Sequence, residues 1–208
     1  MRRYTSLAVA VLVLGCTDDG SKTTAPQLKG AVVGGASASQ DDNNGNHIGQ
    51  RLDIVMLTGD EEVPPRATGA SAQLVLQLSD DGESMKYILD IADIKNVTQA
   101  HIHIAPKGSN GPIAIWLYPS PKTRTALPAN GGPVERLLVQ GTFTAADFIQ
   151  GTTAPLNGKS MADFVEIVNS AGAYGNVHTN DGVDPQNTGP GDFPGGEIRG
   201  QLNGHNKH

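Results

Sequence analysis

The segment AHIHIAPKGSNGP contains two histidines two positions apart, His101 and His103, within an apolar run. Histidine is scarce in this chain, with 6 in 208 residues. Alternate residues of a β-strand share a face, so Ile102 and Ile104 are expected to face a core. The two histidines then lie side by side on the opposite, outer face, with Cα atoms ~7 Å apart. Two imidazoles in this arrangement can supply two nitrogen ligands to one metal ion.

The same alternation applies to AYGNVHT and GEIRGQL near the C-terminus. If Val177 belongs to the core, His178 points outward. If Ile198 and Leu202 face inward, Arg199 also points outward. We therefore expect three histidines and an arginine to meet on one outer surface. The histidines are candidate metal ligands, and copper is the expected ion because Cu(II) leads the affinity order at nitrogen sites.

Structural roles remain open for the same residues. Paired histidines also hydrogen-bond backbone or carboxylate groups and brace a following loop. Arg199 has Glu197 and Asp192 as possible ion-pair partners. His178 alone is compatible with capping the long loop 180–196. Trp116, in a predicted strand, is expected to pack.

Short strand-like segments separated by turn signals are expected to position these residues. ASAQLVLQL and SMKYILDI alternate around the turn Asp80-Asp81-Gly82 and predict a β-hairpin. Two segments, Thr144–Asp147 and Ser160–Asp163, have the spacing of a helix capping box, and an apolar helical period follows the second. The pattern predicts an all-β fold, an antiparallel Greek-key sandwich or barrel with one or two short helices. The other predicted strands are RLDIVMLTG, VTQAHIHIA, PIAIWLYP, VERLLVQGTF, AYGNVHT and GEIRGQL.

The N-terminus predicts export. Residues 1–15 combine two arginines with a short apolar run and are typical of a signal peptide. The run is shorter than the roughly 20 residues that span a bilayer. The junction before Cys16 resembles the lipobox of bacterial lipoproteins, which implies lipidation of Cys16, and Thr17 resembles the signal for transfer to the outer membrane. Residues 16–50 are rich in Gly, Ser, Thr, Asp and Asn and predict a flexible tether.

Residues 51–204 are predicted to form one folded domain, followed by a tail at 205–208. The net charge is −6 and no basic cluster occurs, which argues against nucleic acid as a partner. Cys16 is the only cysteine, so an internal disulfide is excluded. The lipid anchor is the expected membrane contact, on the periplasmic or extracellular face, and the sequence identifies no protein partner.

The ordered motifs LTGDEEVPP, AHIHIAPKGSNGP, YGNVHT and GGEIRGQL resemble the chordin (CHRD) domain family. This resemblance covers roughly residues 52–203 and implies an immunoglobulin-like or barrel-like β fold in an extracytoplasmic setting.

A second similarity is to the copper site of the copper/zinc superoxide dismutases. It implies His101, His103 and His178 as copper ligands and Arg199 as a catalytic guide for an anionic substrate. No histidine lies between residues 103 and 178, so the bridging and zinc ligands of that family are missing and no zinc site is recognised. The family's disulfide is also missing. Any enzyme activity is therefore expected to be that of a copper-only, superoxide dismutase-like oxidoreductase.

Two functions are compatible with these observations. The first is an exported, membrane-anchored protein that binds one copper ion through its histidine cluster, with a redox or metal-handling role. The second is an extracellular protein-interaction module in which the histidines are structural and no metal binds. The arrangement of the imidazole nitrogens distinguishes them, because metal ligands must converge on one point roughly 2.0–2.1 Å from each nitrogen.

Overall fold

The computed structural model describes residues 52–122, 124–128 and 133–204. Within these ranges the chain forms eight strands, one α-helix and two single 3-10 turns. The strands are β1 (Leu52–Thr58), β2 (Ser71–Leu78), β3 (Ser84–Lys95), β4 (Val97–Ile104), β5 (Ile113–Tyr118), β6 (Pro133–Thr144), β7 (Ala173–Thr179) and β8 (Ile198–Leu202). The helix is α1 (Met161–Asn169), and the 3-10 turns are Gly59–Glu61 and Ala145–Asp147.

The strands form one antiparallel sheet in the order β5-β4-β7-β8-β1-β2-β3-β6. The two end strands, β5 and β6, approach each other, so the sheet nearly closes into a barrel. Strands β3 and β4 are consecutive in the chain but separated in the sheet, which is the crossing of a Greek key. The predicted all-β, antiparallel fold class is confirmed.

Alternating apolar residues of the predicted hairpin fill the barrel. Leu74 of β2 pairs with Leu89 of β3, and both are fully buried. Tyr87 is buried on the same face of β3 and donates its hydroxyl to the backbone oxygen of Leu117, 2.7 Å away. Phe164 of α1 packs on this core against Phe143. The interior therefore consists almost entirely of apolar side chains.

The two predicted capping boxes have different outcomes. Ser160 accepts a hydrogen bond from the backbone N–H of Asp163 and begins α1, as expected. Thr144 and Asp147 also form a capping box, but only a single 3-10 turn follows. The backbone becomes extended at Phe148, whose fully buried side chain packs in the core, and the 3-10 turn ends there.

Strands β4, β7 and β8 carry the candidate site on the face opposite the core. Cross-strand pairing aligns His101 with Asn176, and Asn176 with Arg199. In the next row outward, His103 pairs with Tyr174. The antiparallel register thus places residues that are far apart in sequence side by side on one face.

The predicted signal peptide, Cys16, the tether of residues 16–50 and the tail at 205–208 lie outside the described residues. Among the helices of the described ranges, none is long and apolar enough to cross a membrane.

Candidate metal centre

Three histidines from β4 and β7 come together, as the sequence predicts. Each of His101, His103 and His178 offers one ring nitrogen, and the three nitrogens lie within 4.8 Å of one another. The histidines lie on the outer face of the sheet, as expected, but this face is covered by loops. The three residues are only 0%, 7% and 6% exposed, respectively, because the loops before β5 and before β8 fold back over this face. The cluster is outside the barrel but buried.

Backbone carbonyls determine which nitrogen of two rings is free. His103 Nδ1 lies 2.9 Å from the oxygen of Gly111, and His178 Nδ1 lies 2.8 Å from the oxygen of Pro194. A carbonyl oxygen only accepts, so each Nδ1 must carry the proton. Both Nε2 atoms are then unprotonated and carry a lone pair, the state that a metal ligand requires.

His101 contacts His178 directly. Its Nδ1 lies 3.1 Å from His178 Nε2, and since His178 Nε2 bears no proton, His101 Nδ1–H donates to it. If the proton of His101 moves to its Nε2, an ion can take its place between Nδ1 of His101 and Nε2 of His178, with both imidazoles neutral. Nitrogens 3.1 Å apart, each about 2.0–2.1 Å from one ion, subtend an angle of roughly 100° there.

Two buried nitrogens of the cluster lack hydrogen-bond partners. They are Nε2 of His101 and Nε2 of His103, and no donor within the described part of the chain reaches either. Leaving a buried polar group unpaired costs about 1–3 kcal/mol. Bonds of about 2.0–2.1 Å allow ligand nitrogens at most ~4.2 Å apart, so ring movements below ~1 Å complete a three-nitrogen site. An ion at this position would use the Nε2 lone pair of His103, which the described part of the chain leaves unpaired.

Burial keeps the imidazoles neutral. Desolvation, with smaller contributions from the neighbouring histidines, lowers the pKa of His101 to about 2. Burial lowers the pKa of His178 to about 4, against an opposing effect of its hydrogen bond to Pro194. Burial also lowers the pKa of His103, and the positive charge of Arg199 acts in the same direction. At neutral pH the cluster is therefore an uncharged set of nitrogen donors.

Arg199 lies on the predicted face but not at a surface. It is 1% exposed, and its guanidinium carbon lies 3.5 Å from the ring centroid of Tyr174. The Tyr174 ring in turn stacks on His103, with 4.8 Å between centroids. Arg199 donates to the oxygens of Pro106 and Asn110 in the loop before β5. It therefore holds the loop whose Gly111 oxygen anchors His103.

The ion pairs considered for Arg199 are not made within the described residues. Glu197 accepts hydrogen bonds from the hydroxyls of Thr68 and Thr179, while Asp192 accepts from Thr188. The pairing hypothesis fails because these carboxylates fasten the loop before β8 instead.

Glu62 is a site residue that the sequence patterns did not predict. This carboxylic acid is 5% exposed and accepts a hydrogen bond of 2.6 Å from Asn176 Nδ2. Burial raises its pKa to about 7, although the positive charge of Arg199 lowers it in part. Gly196, with φ of 126°, packs so closely that a Cβ would lie 2.4 Å from Asn176 Nδ2. Glu62 belongs to EEVPP, which the sequence marked only as the end of a strand.

Trp116 packs, as expected, but its partner is His101. The two rings meet edge to face with centroids 4.3 Å apart, and the strand register pairs the residues directly. The aromatic ring thus covers the histidine cluster.

Comparison with known proteins gives a family. No curated protein matches the chain. The model of the CHRD domain matches residues 54–202, a range that contains all three histidines and Arg199. Because the match covers well over half of the sequence, the chain belongs to the CHRD domain family.

Proposed function

We propose that this CHRD domain binds one copper ion through His101, His103 and His178. The observation that carries the proposal is the convergence of three neutral ring nitrogens within 4.8 Å in a buried cluster, with two of its nitrogen atoms unpaired. Hydrogen bonds from Nδ1 of His103 and His178 to carbonyl oxygens orient the rings, as the second ring nitrogen of a ligand histidine commonly does at metal sites.

Copper is favoured by the donor set. Imidazole nitrogens suit copper and zinc, and the affinity order places Cu(II) above Zn(II). The separation of His101 Nδ1 and His178 Nε2 corresponds to a ligand angle of roughly 100°, midway between the right angle of tetragonal Cu(II) and the tetrahedral angle of zinc, so the preference for copper rests on the affinity order. Three protein ligands also leave a coordination position open, as a redox or metal-transfer site requires.

The metal-binding test compares histidine variants of untagged protein. Wild type should retain about one Cu(II) per chain after dialysis, as expected for a site with a full set of neutral ligands. The double variant His101→Ala/His103→Ala should retain none, with an unchanged β-type circular dichroism spectrum. The matched control, His205→Ala/His208→Ala, removes two tail histidines and should bind as wild type. Copper retained by the first variant but lost from the control would move the site to the tail.

The proposed setting is the outside of the cell membrane. It rests on the signal-like residues 1–15 and the lipobox-like junction at Cys16. Cys16→Ser should leave the protein unlipidated and released from the membrane fraction. If the Cys16→Ser protein stays in the membrane fraction and has the same mass as wild type, the lipid anchor at Cys16 is contradicted.

A copper-only dismutase is one role for such a site, with Arg199 supplying positive potential toward an anion. Activity of copper-loaded protein in a superoxide assay should exceed that of the His101/His103 double variant treated identically, and should fall with ionic strength. Equal activity of the two proteins would leave metal binding or transfer as the role.

Exposed apolar residues on the outside of the barrel favour the second candidate function, a protein-interaction module. Ile54, Met56 and Leu138 are each more than half exposed on the outer face of β1 and β6. Ile54 and Met56 lie two positions apart on one face of β1, and neighbouring exposed apolar side chains are a common feature of protein interfaces. If wild-type protein binds no copper, we expect the histidines to act structurally and this face to carry the function.

A further inference from the structure

Trp116 connects the buried histidine cluster to solvent. His101 is fully buried, whereas Trp116, whose ring centroid lies 4.3 Å away, is only half buried. The edge-to-face contact, at an interplanar angle of 86°, leaves no room for solvent between the rings. One side of the indole therefore touches a candidate ligand and another side is accessible from outside.

The ligand nitrogens themselves are shielded. His101 is fully buried, and Nε2 of His103 is inaccessible to solvent. A large one-electron carrier therefore cannot contact them and must exchange electrons through a covering side chain. Electron transfer weakens steeply with distance, so the side chain that both contacts a ligand and reaches the surface sets the route.

Within the described residues, Tyr174 is the other non-histidine ring in contact with the cluster. It is 2% exposed, so an electron carrier cannot contact its ring from solvent. The Arg199 guanidinium lies 3.5 Å from the centre of its ring and is permanently charged. A cation against an aromatic ring stabilises the electrons of that ring and opposes their removal. Tyr174 is thus a poorer conduit than Trp116.

Resting on the copper site proposed above, we propose that Trp116 is the electron-transfer port of that site. One electron passes from Cu(I) through His101 and the indole to a one-electron acceptor at the exposed edge of Trp116. The products are Cu(II) and the reduced acceptor, and no bond to a substrate forms or breaks. A one-electron donor uses the same route in reverse. The net charge of −6 favours a cationic carrier.

The first test uses wild-type protein, since Trp116 is the only tryptophan in the chain. One equivalent of Cu(II) should quench most of the indole emission, because the excited ring can pass an electron to the ion. One equivalent of Zn(II), which has no redox chemistry, should leave the emission largely intact. If one Cu(II) binds per chain and the tryptophan emission does not fall, the proposed electron transfer through Trp116 is wrong.

The second test measures the rate at which copper-loaded, ascorbate-reduced protein is oxidised by the cationic complex tris(phenanthroline)cobalt(III). Trp116→Leu should lower the second-order rate constant by about an order of magnitude, with copper content and Cu(II) EPR spectrum unchanged. Trp116→Phe keeps a ring against His101 and should give an intermediate rate. The matched control, Tyr118→Leu, removes an aromatic that packs on the core two positions along β5 and should react as wild type.

A tryptophan that only shields the cluster predicts the opposite result. Removing it would bring the complex closer to His101, so an equal or faster rate in Trp116→Leu overturns the port while leaving the copper site intact. Failure of wild-type protein to bind copper rejects the site itself, and the port with it.

Discussion

The two halves of the barrel's outer surface differ in kind. On β4, β7 and β8 the outward residues are polar, yet loops cover them, and His101, Arg199 and Glu197 are at most 1% exposed. On β1 and β6 the outward residues are uncovered, and Ile54 and Leu138 are more than half exposed. Burial of polar groups opposes folding unless each finds a partner, whereas scattered exposed apolar residues are tolerated.

This difference indicates that the functional site lies in the covered half. The covered half retains unpaired nitrogens on His101 and His103, together with a buried acid at Glu62. None of these stabilises a barrel that already has an apolar interior. Unpaired buried groups of this kind are typical of sites that bind something.

Low pH should destabilise the protein through the buried histidines of the covered half, and this is the largest effect we expect. The folded-state pKa values of His101 and His178 lie well below the ordinary 6.5, so the unfolded chain binds more protons once the pH falls below that value. Stability of the metal-free protein should therefore fall from pH 6.5 to 4, by roughly 3 kcal/mol for His178 alone. Urea unfolding at several pH values measures this. A His178→Asn variant whose loss is equally steep would contradict the assignment.

Gly111→Ala should disrupt the loop that covers the cluster. A Cβ at this position would lie 2.0 Å from the backbone oxygen of Ile104, so the loop must move. His103 then loses its Gly111 acceptor, and we expect destabilisation of about 3 kcal/mol and weaker copper binding. The control is Gly69→Ala, where nothing lies within 4 Å and thermal unfolding should be unchanged. Equal melting temperatures for both variants would show that the loop is not fixed.

Two arginines compare the halves directly. Arg199→Ala removes a buried guanidinium that contacts Tyr174 and two loop oxygens, and should destabilise the protein by roughly 2–3 kcal/mol. Arg136 pairs with Asp90 on the exposed half, and Arg136→Ala should have little effect because solvent screens that pair. Chemical denaturation compares the two variants. A larger loss for Arg136→Ala would reverse the comparison.

Much of this comparison follows from strand periodicity. The alternation around Ile102, Val177 and Ile198 predicted which residues face the core, and the three histidines do meet. It did not predict how the loops would cover them, because these loops have no period and are held by single contacts such as Gly111 to His103. Glu62 was missed for a related reason. Its position depends on the cross-sheet contact with Asn176, 114 residues away, which no local pattern encodes.

Glu62→Gln should remove a pH dependence of opposite sign. The folded-state pKa of Glu62, about 7, lies above its ordinary value of 4.5. The folded protein thus binds more protons, and this group's stabilising effect is lost as pH rises from 4.5 to 7. The stability of Glu62→Gln relative to wild type should improve by roughly 2 kcal/mol between pH 5 and pH 8. A pH-independent difference in unfolding free energy would mean that Glu62 is already ionised at pH 5.

Ala171→Gly should give the smallest effect, and a stabilising one. Ala171 follows the C-cap of α1 with φ of 54°, and its N–H and that of Gly172 bond back to Val168 and Ile167 in a Schellman motif. The left-handed conformation disfavours any residue with a Cβ, so glycine should add about 0.5–1 kcal/mol. The adjoining carbonyl of Ala171 also accepts a bond of 2.8 Å from Gln201 in the covered half. Thermal unfolding at pH 7 measures the gain, with Ala154→Gly as a control for glycine's flexibility in a turn. A loss in Ala171→Gly as large as in the control would show that the backbone there is not strained.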